Sequence, residues 1–332
     1  MKKLLSSLFI VMFICGLISC SKTPDKSADV FNETNASKKI YSYYTGEEVS
    51  QDINNNTPFM VMVENSVYAR PQSGLSYADV IYETLAEGGI PRFMALFHKE
   101  QPKTVGPVRS IRPYFLEIAN ENNLAFAHCG GSAEALSTIS KDQSIMSINE
   151  ISNGKYFWRD TSRKAPHNLY TSAENITKFI IDKDFNSKPK TFATFNNEYY
   201  SNEKLSEIKN LNLNINRFYN TSYTYDNGFF TKSMDGEIAT DALTNSPLKF
   251  KNVVIQKTNI QLQADNNHID IDLIGEGEGY VFSNGHYLNI LWKKEDKNSK
   301  TMLYDYDGNI VPLSQGKTIW HILDKDSNIT FN

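Results

Sequence analysis

The apolar positions of this chain follow two different patterns. Residues 4–18 form one nearly unbroken apolar run, whereas from Phe59 onward apolar residues come in short runs divided by Gly, Pro and Asn. The stretch 21–56 between them is polar, with few aliphatic residues before Ile53, and predicts a flexible tether. Tyr41 to Tyr44 are its residues best suited to pack on a folded body, so its end is soft.

Beyond the tether, residues 59–63 read as a short buried strand. Residues 79–87 and 92–98 flank Gly88-Gly89 and read as an antiparallel hairpin. A turn centred on those glycines sets 85 opposite 92 and places Glu83, Glu87 and Arg92 on the face of Ile81 and Leu85. Pro113 opens a predicted helix over 113–122 from the slot proline favours. Residues 124–129 read as a buried strand, which leads through Gly130-Gly131 into a helix over 133–139 capped by Ser132. A third helix is predicted over 171–181. After about Lys209 the texture is almost purely β: the segments 222–232, 281–293 and 302–313 centre on Asn227-Gly228, Asn284-Gly285 and Asp307-Gly308, each a hairpin signal. The expected fold class is α+β, or mixed α/β: an α/β domain with a mixed sheet over 57–205, followed by a β-rich domain over 215–332.

The first twenty residues supply an address. Lys2-Lys3, the apolar run and Leu17-Ile18-Ser19-Cys20 read as a lipoprotein signal peptide over 1–19, cut by signal peptidase II before a diacylglyceryl-bearing Cys20. The run is too short to span a bilayer stably. The predicted mature protein is therefore lipid-anchored at the extracytoplasmic face of the cytoplasmic membrane, with Cys20 and the tether filling 20–56. Cys15 leaves with the signal, so Cys129 has no disulfide partner within the chain. A net charge of -4 argues against nucleic acid as a partner.

Arginine usage is the sharpest chemical clue. Six of the seven arginines, Arg70, Arg92, Arg109, Arg112, Arg159 and Arg163, fall in the first predicted domain, against twenty-seven lysines throughout. A guanidinium grips carboxylate or phosphate through a planar fork that an ammonium cannot reproduce. His128-Cys129-Gly130-Gly131-Ser132, between a strand and a helix, offers a second clue, because backbone N–H groups at such a turn favour an anion. The predicted ligand set is these six arginines with His128, Gly130, Gly131, Ser132, His167 and Asn168. The plain alternative is that the arginines pair with Glu64, Asp79, Glu83, Glu87 and Asp160 and tie loops to the sheet. Candidate acid-base groups are His128, His167, Glu83 and Glu87, with a Cys129–His167 pairing as a further possibility. No metal or cofactor is expected, since hydrolase, metalloenzyme and P-loop spacings are absent from the sequence. Tyr223, Tyr225, Phe229, Phe230, Tyr287, Trp292, Trp320 and His321 supply aromatic side chains in the second domain, for a core or for stacking on sugars.

Several of these segments together resemble the YerB-like bacterial lipoproteins: Ala69-Arg70-Pro71-Gln72-Ser73-Gly74-Leu75, the hairpin from Ala78-Asp79 to Arg92, Val105-Gly106-Pro107-Val108-Arg109-Ser110-Ile111-Arg112-Pro113, His128 with Gly130-Gly131-Ser132, and Ala165-Pro166-His167-Asn168-Leu169-Tyr170. The resemblance runs from about Pro58 to the end of the chain and is looser in the second half, where Thr224-Tyr225-Asp226-Asn227 departs from the family's Trp-Asp pattern. It implies an exported, lipid-anchored, two-domain protein and brings no established reaction. The leading expectation is an envelope lipoprotein binding an anionic or sugar-containing ligand in an Arg-rich cleft. The alternatives are a hydrolase or transferase acting on phosphate-linked or glycosidic wall polymers, and a scaffold docking a membrane-bound envelope protein.

Overall fold

The computed structural model describes residues 39–201 and 205–332. The predicted signal peptide, Cys20 and the first part of the predicted tether lie outside the described residues.

The strands of the first half are β1 (Phe59–Glu64), β2 (Val80–Leu85), β3 (Pro91–Phe97), β4 (Phe126–His128) and β5 (Ser147–Asn149). The second half contributes β6 (Asn252–Thr258), β7 (Gly275–Ser283), β8 (His286–Lys294) and β9 (Thr318–Asp324) to the same sheet, whose order is β8-β7-β6-β9-β2-β3-β1-β4-β5. The seam between the halves is parallel: β9 lies between β6 and β2 and pairs with both. The predicted boundary is thus crossed by a continuous ladder of backbone hydrogen bonds. β1 also runs parallel to β4, and β4 to β5, whereas β3 is antiparallel to its neighbours.

Both faces of this sheet are covered, so β1 and β3 are buried along their whole length and read as continuous apolar runs. Phe59, Val61, Val63, Ile81 and Phe93 face α3 (Ala173–Asp182) and a second, six-stranded sheet built from residues 210–238, 249–250 and 328–331. Met60, Met62, Val80, Tyr82 and Met94 face α1 (Pro113–Asn122), whose Tyr114, Phe115, Leu116 and Ile118 are buried. Helix α2 (Ala133–Lys141) starts at Ser132, whose hydroxyl accepts from the Ala135 amide. The result is a two-part architecture, mixed α/β first and β-rich second, around a mixed sheet with few helices. Tyr223, Phe230, Trp292, Trp320 and His321 are buried, so those aromatics are core rather than a sugar platform.

Three expectations change. The stretch 39–56 belongs to the folded body: Ile40–Tyr41 pairs with Glu48–Val49, and Tyr44 is fully buried with its ring 5.6 Å from that of His98. Its aromatic residues outweigh the polar composition that suggests a tether. The hairpin register also shifts by one. The connection Ala86 to Ile90 is closed by the Ala86 amide on the Ile90 carbonyl, so Leu85 faces Pro91 and Thr84 faces Arg92. A one-residue slip reverses every side chain, and Arg92 consequently points to the α1 side while Glu83 points to the six-stranded sheet. The segment 302–313 is not a full hairpin, since beyond Met302–Tyr304 only an isolated Tyr304–Ile310 bridge forms across Asp307-Gly308. The Asn284-Gly285 turn does follow its signal, with φ of 47° and 76° and full β7–β8 pairing.

Glu83 meets Lys232 between the two sheets. The Lys232 Nζ donates to Glu83 Oε2 at 2.8 Å, and neither side chain is more than 1% exposed. Tyr223 Oη and Thr221 Oγ1 accept from the same ammonium, His321 Nδ1 lies 3.4 Å from Glu83 Oε2, and Asn65 donates to Glu83 Oε1 at 2.8 Å. Removing one member strands a charge in the core, which costs about 3–5 kcal/mol. Lys232→Ala is expected to lower unfolding stability by that amount in urea titrations, and Glu83→Leu plus Lys232→Met to recover most of it. Equal losses from the single and double variants would refute the pairing as the source.

Candidate functional site

The carboxyl ends of β1, β4 and β5 lie at one edge of the sheet, the place where open α/β sheets gather their ligands. Glu64 closes β1 there, and its carboxylate is 2% exposed. His167 Nδ1 lies 2.8 Å from Glu64 Oε1, Ser66 Oγ donates to the same oxygen at 2.7 Å, and Arg109 Nε stands 3.4 Å from Oε2. The His167 side chain is 23% exposed and Arg109 30%, so both reach solvent while sharing a buried counter-ion. Tyr68, 76% exposed, lies against the imidazole at 5.6 Å between ring centres. Arg109 is placed by its amide bonding to the Met62 carbonyl, and His167 by the turn after Lys164.

A second group adjoins this one. Arg159 donates to Asn168 Oδ1 at 3.0 Å and lies 3.9 Å from Glu150, which in turn accepts from the Cys129 thiol. Asn168 also donates to the carbonyls of Asp160 and Arg163, which fixes the loop carrying His167. Arg163 spends its fork on the carbonyls of Ala69 and Pro71. Burial pushes the Cys129 thiol up to about 11, with Glu150 adding to the shift. The cysteine is therefore a hydrogen-bond donor to Glu150 and does not pair with His167.

The other predicted site residues divide as follows. Arg70 is tied to Asp235 at 2.5 Å and to Asn65, bridging the halves. Arg92 and Arg112 share Glu87 on the α1 side, with Arg92 opposite Glu64 in the β1–β3 register; Arg112 holds Glu87 through both Nε and Nη2. The six arginines thus do not converge on one hollow. Glu83 is buried against Lys232, and Glu87 is clasped by two guanidinium groups; neither is free for acid-base work. His128 is fully buried, with Nδ1 on the Gly130 carbonyl at 2.8 Å and Nε2 on Ser147 Oγ at 2.7 Å. The glycine turn is not an anion cradle. The Gly130 amide donates to Asn149, the Ser132 amide to Ile111 and the Ser132 hydroxyl caps α2, while a Cβ on Gly131 would stand 2.7 Å from Ile111 Cγ2. Sterics, with Gly130 at φ 63°, account for both glycines. Among the described residues no group of three or more His, Cys, Asp or Glu side chains is placed to hold a metal.

Lys232, Tyr223 and Asn65 are the polar residues that sequence reasoning did not assign to this network. A lysine at an alternating strand position reads as solvated, and only the packing of one sheet on the other buries it.

Comparisons with known proteins agree with this architecture. Two models of a protein family of unknown function, DUF3048, match the chain, the N-terminal domain over residues 44–186 and the C-terminal domain over 211–320. The chain belongs to that family. It is 33% identical over 326 residues to a Bacillus subtilis (strain 168) protein named "Putative lipoprotein YerB", covering 96% of this chain and 92% of that one. The crystal structure of YerB from Bacillus subtilis superposes with a TM-score of 0.79, over 88% of this chain and all of that chain.

Two outcomes are expected from these environments. Burial pushes the His128 imidazole from 6.5 down to about 4. Below pH 6.5 the unfolded chain takes up a proton that the folded one refuses, so stability falls as pH drops from there to about 4, by up to about 3 kcal/mol. Urea titrations across that range should show a flatter limb for His128→Gln than for the parent, and parallel limbs would exclude His128 as the cause. Alkylation of Cys129 by iodoacetamide should be negligible near about pH 7 and rise steeply above about pH 10; fast labelling at neutrality would contradict the raised thiol.

Proposed function

We propose that this chain is a lipid-anchored envelope protein that binds an anionic, sugar-containing ligand at the Glu64 cluster. One observation carries the reading: Arg109, Arg159 and His167 reach solvent beside the largely buried carboxylates of Glu64 and Glu150, with the exposed ring of Tyr68 alongside. Solvent-facing guanidinium groups whose acids are buried suit phosphate or carboxylate, and an exposed phenol suits the face of a sugar ring. The name of the Bacillus subtilis relative supports a lipoprotein, and with it a membrane-associated place in the envelope with Cys20 as the attachment point.

Residues 40–49 pack beside His98, where Phe59 opens β1 opposite Phe97, while Glu64 closes the same strand five residues on, roughly 17 Å away. The chain therefore enters the folded body at the end of β1 remote from the ligand edge.

A second reading rests on the His167–Glu64 contact. A partly exposed imidazole oriented by a buried carboxylate is a suitable general acid or base for cleaving or transferring phosphate-linked or glycosidic polymers.

Calorimetric titration with polyol-phosphate wall polymer and with peptidoglycan fragments tests the binding reading. Saturable binding to one of them is expected, weakened at least about tenfold by Arg109→Gln plus Arg159→Gln, the loss of two charge-assisted contacts. Indifference of the parent protein to both polymers would overturn it. Turnover of a labelled polymer that disappears in His167→Asn would instead establish the catalytic reading.

A further inference from the structure

The Arg92–Arg112 pair adjoins the Glu64 cluster, since Arg92 lies directly opposite Glu64 in the β1–β3 register, and it has its own imbalance of donors and acceptors. Arg92 donates to the Ser110 carbonyl at 3.0 Å and to Glu87 Oε2 at 3.0 Å. Arg112 donates to Glu87 through Nε and Nη2 and to the Ile111 carbonyl at 2.7 Å. These contacts use roughly half of the N–H groups that two guanidinium ions carry. The side chains are only 11% and 12% exposed, so the unused donors are largely screened from water. One carboxylate faces two cations, and burial together with the Arg112 charge pushes Arg92 down to about 10.

The start of α1 adds to the imbalance. Arg112 occupies the cap position, where its side chain supplies no acceptor to the first-turn amides, and Pro113 follows. The Arg112 carbonyl takes the Phe115 and Leu116 amides, which leaves the Tyr114 N–H as the one first-turn donor beside the pair without a backbone acceptor among the described residues. Tyr114, in the same turn, is 3% exposed, and its Oη has no hydrogen-bond partner. The phenol is close enough to Arg92, Glu87 and Arg112 for their charges to act on its ionisation. A buried hydroxyl without a partner is uncommon and calls for one. At the rim His268, on the loop between Ile260–Leu262 and Ile269–Ile271, brings Nε2 to 3.8 Å from Glu87 Oε1, while Asp265 holds its Nδ1.

We propose that Arg92, Arg112 and Tyr114, at the start of α1, form a second site for a phosphate-sized oxyanion, with Glu87 as its competing internal acid. The low exposure of the donors selects a free phosphate or a terminal phosphomonoester, because a phosphodiester inside a polymer cannot bring its oxygens that deep. The ligand would take the unused guanidinium donors and the Tyr114 hydroxyl, leaving Glu87 bidentate on Arg112.

The test is calorimetry of the full chain in detergent with sodium phosphate, against sodium chloride of equal ionic strength, and in parallel with glucose 1-phosphate. Saturable one-to-one binding of phosphate is expected, at least about tenfold tighter in Glu87→Gln, where the competing charge is gone, and at least about tenfold weaker in Arg112→Gln. Where Arg112→Gln does not fold by circular dichroism, Tyr114→Phe, which loses one hydroxyl, decides through an expected threefold to tenfold weakening. Tighter binding of glucose 1-phosphate than of phosphate identifies a terminal ester, and equal binding the free ion. No saturable heat with either the parent or Glu87→Gln overturns the site. So does phosphate binding that Arg109→Gln removes and Arg112→Gln or Tyr114→Phe leaves intact, because that binding belongs to the Glu64 cluster.

Discussion

A lysine ammonium and a glutamate carboxylate, both shut away from water, pin the two halves of this protein together. Lys232 belongs to the six-stranded sheet and Glu83 to β2 of the large one, and each is tolerable in the core only because the other is 2.8 Å away and the remaining donors are matched. Thr221, Tyr223 and Asn65 complete the set. Such a pair adds little net stability over a well-packed apolar core, but it penalises any arrangement of the sheets that separates its members. The parallel insertion of β9 between β6 and β2 acts in the same direction through backbone hydrogen bonds.

The buried pair is also continuous with the candidate site. Asn65 donates to Glu83 with one end of its amide, and its oxygen accepts from Arg70 and Gln72. Arg70 in turn reaches Asp235 in the second half. The neighbouring residue, Glu64, carries His167 and Arg109. Interlocked hydrogen bonds of this kind fix side-chain positions better than isolated surface pairs do. The solvent-facing cations thus stand on a support anchored in the core, and the edge they occupy is set by the direction of β1, β4 and β5.

Charge is distributed unequally between the two arginine clusters. At Glu64 the cations are part exposed and share a buried acid, an arrangement able to meet a large ligand from solvent. At Glu87 the cations are nearly buried and share a single acid. The glycine turn between β4 and α2 serves neither, because its amides and the helix cap are already satisfied from Asn149, Ile111 and Ser132. His128 likewise acts as a neutral brace between Gly130 and Ser147.

Much of the architecture was legible in local patterns. The helices at 113–122, 133–141 and 173–182 follow their cap and proline signals, and the Asn-Gly turns of the second half follow theirs, because caps and tight turns are decided by a few adjacent residues. The concentration of arginine in the first half likewise marked the region holding both clusters. Partnership was not legible: Lys232 with Glu83, Arg70 with Asp235 and Glu64 with His167 join residues 149, 165 and 103 positions apart. The one-residue shift of the β2–β3 hairpin, which sends Arg92 to one face and Glu83 to the other, follows from how the Ala86–Ile90 connection closes. Periodicity identifies a strand's two faces; which acid or base waits across from each is settled only when the sheets pack.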